Sequence, residues 1–173
     1  NVGISQRHNE ILSHAEGDFY LSMQPETILE PNFVSTMVRS MESKPTCAAL
    51  NGKIKKWDLS AHEKNPENKE GGKTNFIDSV GIRIYKSHRF QNMGEGEVDY
   101  GQYNESKEIF GVTSSLAFYR RKALEDVAFY NEVTHHKEYF DESMFMYKED
   151  IDLAYRLQWA GWKSFYEPEA IAY

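Results

Sequence analysis

The sequence predicts an α/β fold, a mostly parallel sheet flanked by helices on both faces. Three observations lead there. Short apolar runs rich in β-branched and aromatic residues alternate with stretches of helical period. A length of 173 residues suits a single domain around one core. A composition 40% hydrophobic and 14% aromatic belongs to a globular chain and not to a disordered one.

Residues 5–15 read as a helix, and 19–23 (FYLSM) as a buried strand. Residues 31–41 read as a helix in which Phe33, Met37, Val38 and Met41 share a face, with Pro31 suited to the first turn. A second strand covers 48–57. Residues 58–75 are polar, contain Pro66, Gly71 and Gly72 and lack an apolar period, so a mobile surface loop is expected. Strands follow at 76–85 and 115–119, with Gly94 and Gly96 in a turn-rich segment between them, and a short helix covers 120–127. At about 100° per residue, 149–160 place Leu153, Ala154, Leu157 and Ala160 on one arc and Glu149, Asp152 and Arg156 on the opposite arc. Asp150 falls inside the apolar arc. Asp152 and Arg156 have the spacing of an i,i+4 surface pair. Arg120 and Arg121 are expected to cap the following helix or to solvate. There is no internal repeat.

A net charge of −7 with 20 Lys+Arg argues against a nucleic-acid partner, which needs a basic surface. The single Cys47 excludes an internal disulfide and reads as a small buried strand residue. No apolar run reaches the roughly 18–20 residues needed to cross a bilayer, and no signal peptide opens the chain. The expectation is a soluble, cytoplasmic domain, with peripheral association at the inner face of the membrane left open.

The acidic cluster Glu149-Asp150 is the feature with most chemical content. A carboxylate aimed at the packed side must lose water or meet a donor, a metal or a substrate hydroxyl. The alternative is stabilisation of the dipole in a first helical turn. In sheets of this type ligands bind at the carboxyl ends of the strands, and the strand 19–23 delivers Gln24, Pro25 and Glu26 to that edge. A strand-end acid suits a divalent cation that bridges a diphosphate; the alternative is a Pro-centred turn ahead of the helix at Pro31. His8 either crowds a pocket or points outward. His135 and His136 read as solvated loop residues, with nothing spacing them as metal ligands.

Tyr147-Lys148-Glu149-Asp150-Ile151-Asp152-Leu153 with Arg156, followed by Ala160-Gly161-Trp162-Lys163 and Tyr166-Glu167-Pro168, resembles the C-terminal motif of family 2 glycosyltransferases, especially their rhamnosyltransferase-like branch. Three further segments match in order. Asn1-Val2-Gly3-Ile4 with Asn9 resembles the family's Asn-x-Gly…Asn segment. GDFYLSMQPET at 17–27 resembles its strand ending in Asn-Pro-Asp-Thr, and GVTSSLAFYRR at 111–121 its Gly-x-Ser-Gly-Ala…Tyr-Arg-Arg strand. Asp78-Ser79-Val80-Gly81 resembles its Asp-Ser-x-Gly turn and also reads as an Asx-type turn. Asp99-Tyr100-Gly101-Gln102 resembles the segment before the acceptor strand.

The resemblance implies a GT-A nucleotide-diphospho-sugar transferase fold, Rossmann-like and partial. Residues 1–173 would be one catalytic-domain fragment lacking the first strand–helix units. It implies an inverting, hexosyltransferase-type transfer, in polysaccharide biosynthesis, from a nucleotide-diphosphate sugar to a hydroxyl of a glycan or lipid-linked saccharide. Asp150 would be the general base, supported by Glu149. Glu26 would hold Mg²⁺ or Mn²⁺. Asn1, Gly3 and Asn9 would line the donor site, and Gly111, Thr113 and Ser114 the acceptor site. Gln24 and Glu26 depart from the family's Asn-Pro-Asp. The alternative is therefore a degenerate, non-catalytic member that binds saccharide or a partner.

Overall fold

The computed structural model of the chain describes residues 3–64, 67–68, 70–133, 135–145 and 147–173. In chain order the elements are α1 (Ile4–His14), β1 (Phe19–Met23), α2 (Phe33–Glu42), β2 (Cys47–Trp57), α3 (Leu59–Lys64), β3 (Lys73–Ser79), β4 (Ile82–Ile84) and β5 (Phe90–Asn92). They continue with β6 (Lys107–Ile109), β7 (Leu116–Arg120), α4 (Arg121–Val127), β8 (Phe129–Asn131), β9 (His136–Glu138), α5 (Glu149–Trp159) and β10 (Lys163–Ala172).

One sheet organises the molecule, in the order β1-β7-β2-β10-β6 with β3 added on β2. It is mixed, which corrects the expectation of a mostly parallel sheet: β2 and β10 pair parallel, and the other pairings in this sheet are antiparallel. The cause lies in the connection between β2 and β7. A parallel return needs a covering crossover, usually a helix, and the only helix there among the described residues is the six-residue α3.

Helices cover both faces, as expected. Alternation along β7 sends Leu116 and Phe118 to one side, where they join Leu50 and Ile54 beneath Phe33, Met37 and Met41 of α2. Ala117 and Tyr119 face the other side, with Ala49 beneath Leu12 of α1, Ala123 and Leu124 of α4, and Leu153 and Leu157 of α5. Phe33, Met37 and Met41 recur at i, i+4 and i+8 and are fully buried, which is the face the periodicity predicted; Val38 sits at its margin. Gly52 lets this layer close up, since a Cβ there would lie 2.5 Å from Ala170 O and 2.7 Å from Phe33.

Three local expectations change, and one strand appears that the sequence did not mark. Residues 58–75 hold α3 and the start of β3, and Gly72 is pinned under the Trp57 indole, where a Cβ would clash. The strand expected at 76–85 breaks at Gly81, whose φ of 104° ends β3 and begins β4. Arg120 closes the end of α2 and not the helix that follows it: Nε donates to Cys47 O at 2.8 Å and Nη2 to Met41 O at 2.7 Å. The strand β10 carries no period-2 signal; Glu167-Pro168-Glu169 lies at a bulge in its pairing with β2, where a proline is tolerated. Cys47 is buried as expected, and burial pushes its thiol up to about 12. No helix among the described residues is long and apolar enough to cross a membrane.

Candidate active site

β1, β2 and β10 run in the same direction, so their carboxyl ends share one edge. The turn that enters β7 is fastened from two sides. Thr113 N donates to Asn51 Oδ1 at 3.0 Å, midway along β2, and Gln24 N donates to Ser115 O at 3.0 Å, just past β1. Ser114, between them, faces the start of α5.

The start of α5 is set by left-handed backbone at Tyr147 (φ 69°) and Lys148 (φ 75°). This turn tucks the first helical residue inward. Glu149 is buried, 2% exposed, while Asp150 is half-buried, the reverse of the wheel's placement of Glu149 on the polar arc. A wheel treats residue 149 as mid-helix, whereas the preceding turn aims its side chain. Glu149 Oε2 has no hydrogen-bond partner among the described residues. Asp150 Oδ1 accepts from Ile151 N at 2.8 Å, and the Ser114 backbone N–H also points to the carboxylate. Burial, reinforced by the Glu149 charge, holds the Asp150 carboxyl above its ordinary range. It opens on a cleft of about 310 Å³ shared with Ser114, Asn92, Gln91 and Tyr147.

The helix is anchored at its far end by a Schellman stop. Gly161 (φ 86°) donates to Gln158 O at 2.9 Å and Trp162 N to Leu157 O at 2.9 Å, so the Ala-Gly-Trp-Lys motif is a helix terminus that feeds β10. Arg156 does more than pair with Asp152 (2.7 Å): it donates to Val127 O and Tyr139 O as well, clamping α5 to the chain before it.

Glu26 is exposed in the turn after β1, in a second cleft of about 600 Å³ that also contains Gln24, Asp78, Lys55, Trp57 and His62. Ser115 lines this cleft and Ser114 lines the cleft of Asp150. The turn 113–115 therefore forms the wall between them, and both carboxylates stand at one edge of the sheet. Asp78 was read as the closer of an Asx-type turn. Ser79 does that instead, accepting from Gly81 N at 3.1 Å, and leaves Asp78 in the cleft.

The expected donor residues are placed differently. Asn1 lies outside the described residues. Gly3 (φ 88°) packs beneath the loop leading to α5, where a Cβ would be 2.6 Å from Phe145 O. Asn9 is spent on structure: its Oδ1 accepts from Tyr139 N and Phe140 N, both at 2.9 Å, and its Nδ2 donates to Phe140 O and Glu142 Oε1. That saturated amide has nothing left for a diphosphate. His8 neither crowds a pocket nor points outward; it is buried, stacked on Phe140 and bonded to Tyr20 OH at 2.8 Å, and burial pushes it down to about 4.

Of the three expected acceptor residues, Ser114 lines the Asp150 cleft. Gly111 is a close-approach glycine, since a Cβ would lie 2.8 Å from Ala154 Cβ, and Thr113 is buried, with Oγ1 3.2 Å from Ser115 Oγ. One constellation escaped the sequence reading. His136 is exposed, as expected, but stands on β9 and not in a loop, and its Nε2 lies 2.9 Å from Glu142 Oε1 and 3.9 Å from Glu138 Oε1. The signal was His-x-Glu-x₃-Glu, too short and loop-like to mark a known ligand pattern. His135 is exposed.

No protein-family model and no curated protein sequence matches this chain. Among solved structures, the crystal structure of GalNAc-T7 with UDP, GalNAc and Mn²⁺ is similar, with a TM-score of 0.66 at 12% identity over 98% of this chain. This chain spans 30% of the length of that one. At such identity the likeness shows the fold, which is GT-A-like with a mixed central sheet.

Proposed function

We propose that this chain belongs to a glycosyltransferase that moves a sugar from a nucleoside-diphosphate donor to a hydroxyl of a glycan or lipid-linked saccharide, with inversion, as the resemblance of its motifs to family 2 implies. One observation carries the proposal. Asp150 stands half-buried at the start of α5, its carboxyl held above the ordinary range, at a cleft on the edge of the sheet where such folds bind ligands. A base of this kind needs hydrogen-bond reach to the acceptor hydroxyl and a pKa raised toward the working pH, and Asp150 has an open side and an upward shift. Ser114 N and Ile151 N orient the carboxylate. Glu149, buried behind it, keeps its affinity for a proton up.

Glu26 and Asp78 line one cleft at the strand ends, and two carboxylates sharing a cation with phosphate oxygens are the donor set Mg²⁺ or Mn²⁺ takes. An ion held there supplies charge neutralisation for the departing diphosphate. GalNAc-T7, a neighbour in fold, was crystallised with UDP, GalNAc and Mn²⁺, ligands of the class proposed here.

The test is made on the full-length protein, which is offered a panel of nucleotide sugars with and without saccharide acceptors while nucleoside diphosphate release is followed. Acceptor-stimulated release is expected, together with nucleoside-diphosphate binding that is tighter with Mn²⁺ than with EDTA. If no donor turns over and nucleotide affinity ignores the metal, the proposal is replaced by the non-catalytic binding domain that Gln24-Pro25-Glu26 also suits.

A further inference from the structure

We propose that His136, Glu138 and Glu142 form a second cation site, for a zinc-class divalent ion, which fastens the loop leading into the candidate active site. The three side chains offer one imidazole nitrogen and two carboxylate oxygens, all within 4.8 Å of one another. Ligands at zinc's usual N and O bond lengths in a tetrahedron stand about 3.3 Å apart. The observed separations from His136 Nε2, 2.9 Å to Glu142 and 3.9 Å to Glu138, bracket that value.

Rigidity and charge both support an ion here. Glu138 and His136 are i,i+2 on β9, so they project from the same side of the strand, and Glu142 follows on a single 3-10 turn. Asn131 Nδ2 holds Glu138 Oε1 at 2.7 Å and Glu142 N holds its Oε2 at 3.0 Å, while Asn9 Nδ2 holds Glu142 Oε1 at 3.0 Å. These bonds fix the direction in which the two carboxylates point. Glu138 is fully buried and the Glu142 side chain is 13% exposed, which puts two acids in poor solvent contact. The His136 side chain is 44% exposed and borders an open hollow lined by Arg7, Asn9, Lys137 and Tyr139, giving an entry path and room for a water as fourth ligand. An imidazole in a three-ligand set favours zinc over calcium, which takes six to eight oxygens.

The site lies apart from the Glu26 cleft and acts on the same chemistry at one remove. Glu142 opens the segment 142–145, where Ile4 N bonds Phe145 O at 2.8 Å, ahead of the turn at Tyr147 and Lys148 into Glu149-Asp150. Holding Glu142 limits how far that segment can move.

Metal-stripped protein is titrated calorimetrically with ZnCl₂ in excess Mg²⁺. One zinc per chain is expected. His136→Gln and Glu142→Gln should each weaken it at least about tenfold, and Glu26→Gln should leave it unchanged; circular dichroism checks that the variants fold, which the exposed His136 position favours. Cobalt added in place of zinc should give the visible absorption of a four-coordinate N/O site, lost in His136→Gln. Absence of stoichiometric binding, or binding that survives both substitutions, overturns the proposal.

Discussion

Two pairs of carboxylates stand within thirteen residues of one another and are treated in opposite ways. At Glu138 and Glu142 the carboxylates are held by donors from Asn131, Asn9 and the backbone. At Glu149 and Asp150 the donors run short: Glu149 Oε2 has no partner among the described residues, and Asp150, beside a second negative charge, is held above its usual pKa. A carboxylate whose oxygens are engaged orders the chain around it. One left wanting a proton is poised to take it from something else.

The sharpest way to break this contrast is Asp150→Asn in the full-length protein. Loss of a general base costs about 10²- to 10⁴-fold in turnover, and the fold should not pay for it. Because the folded carboxyl binds its proton more readily than the unfolded one, stability falls as pH rises through that window, and the ionised group opposes folding at neutral pH. The melting temperature of Asp150→Asn at pH 7 should therefore equal or exceed that of the parent, with the gap narrowing below about pH 4. A marked loss of stability with near-normal turnover would make Asp150 a helix-start carboxylate and nothing more.

The opposite corner should respond in reverse. Asn9→Ala strands the amides of Tyr139 and Phe140 and the Phe140 carbonyl, so denaturant unfolding should show a loss of roughly 3 kcal/mol. A change below about 1 kcal/mol would show that Asn9 is free to serve a ligand, as the family motif implied.

A pH titration sharpens the comparison next. His8 is held down to about 4, so the folded state binds fewer protons than the unfolded chain, and its contribution is complete above about pH 6.5 and lost toward pH 4. At most roughly 3 kcal/mol should disappear across that window. His8→Phe should flatten the slope whatever its effect on absolute stability, and an unchanged slope would assign the acid sensitivity to other groups. The smallest effect belongs to exposed Glu26: Glu26→Ala should alter stability by no more than about 0.5 kcal/mol, yet erase the Mn²⁺-dependent gain in nucleotide affinity.

What could be read in the sequence followed from the reach of each signal. The α2 face was legible because a helical period reports burial directly; FYLSM was legible as a strand, but it buries Tyr20 and Ser22 and exposes Met23 where a buried run was expected. The direction of strands was not, since antiparallel return depends on the missing crossover helix between β2 and β7 and not on any one strand's composition. Strand β10 was hidden by Lys163, Glu167 and Pro168, which break alternation while the pairing with β2 absorbs them at bulges. At the candidate site, the family resemblance named Asp150, Glu26 and Ser114, which the fold brings to neighbouring clefts. It could not foresee that Asn9 spends its amide on residues 130 or more positions away, or that the turn at Tyr147 and Lys148 aims Glu149 inward.

The pairing of β10 with β2 has a kinetic side. Tyr166 lies beside Asn51, so the middle of the sheet is closed by partners more than a hundred residues apart. Contacts of that sequence separation form slowly, because the entropy of closing the intervening loop is lost before any pairing energy returns. β1, β7 and β2 can assemble earlier, but until β10 docks they present β2 as an exposed edge, a template for other chains. On a ribosome the interval is lengthened further, since residues 163–172 emerge after the other strands of this sheet at about 5–20 residues per second.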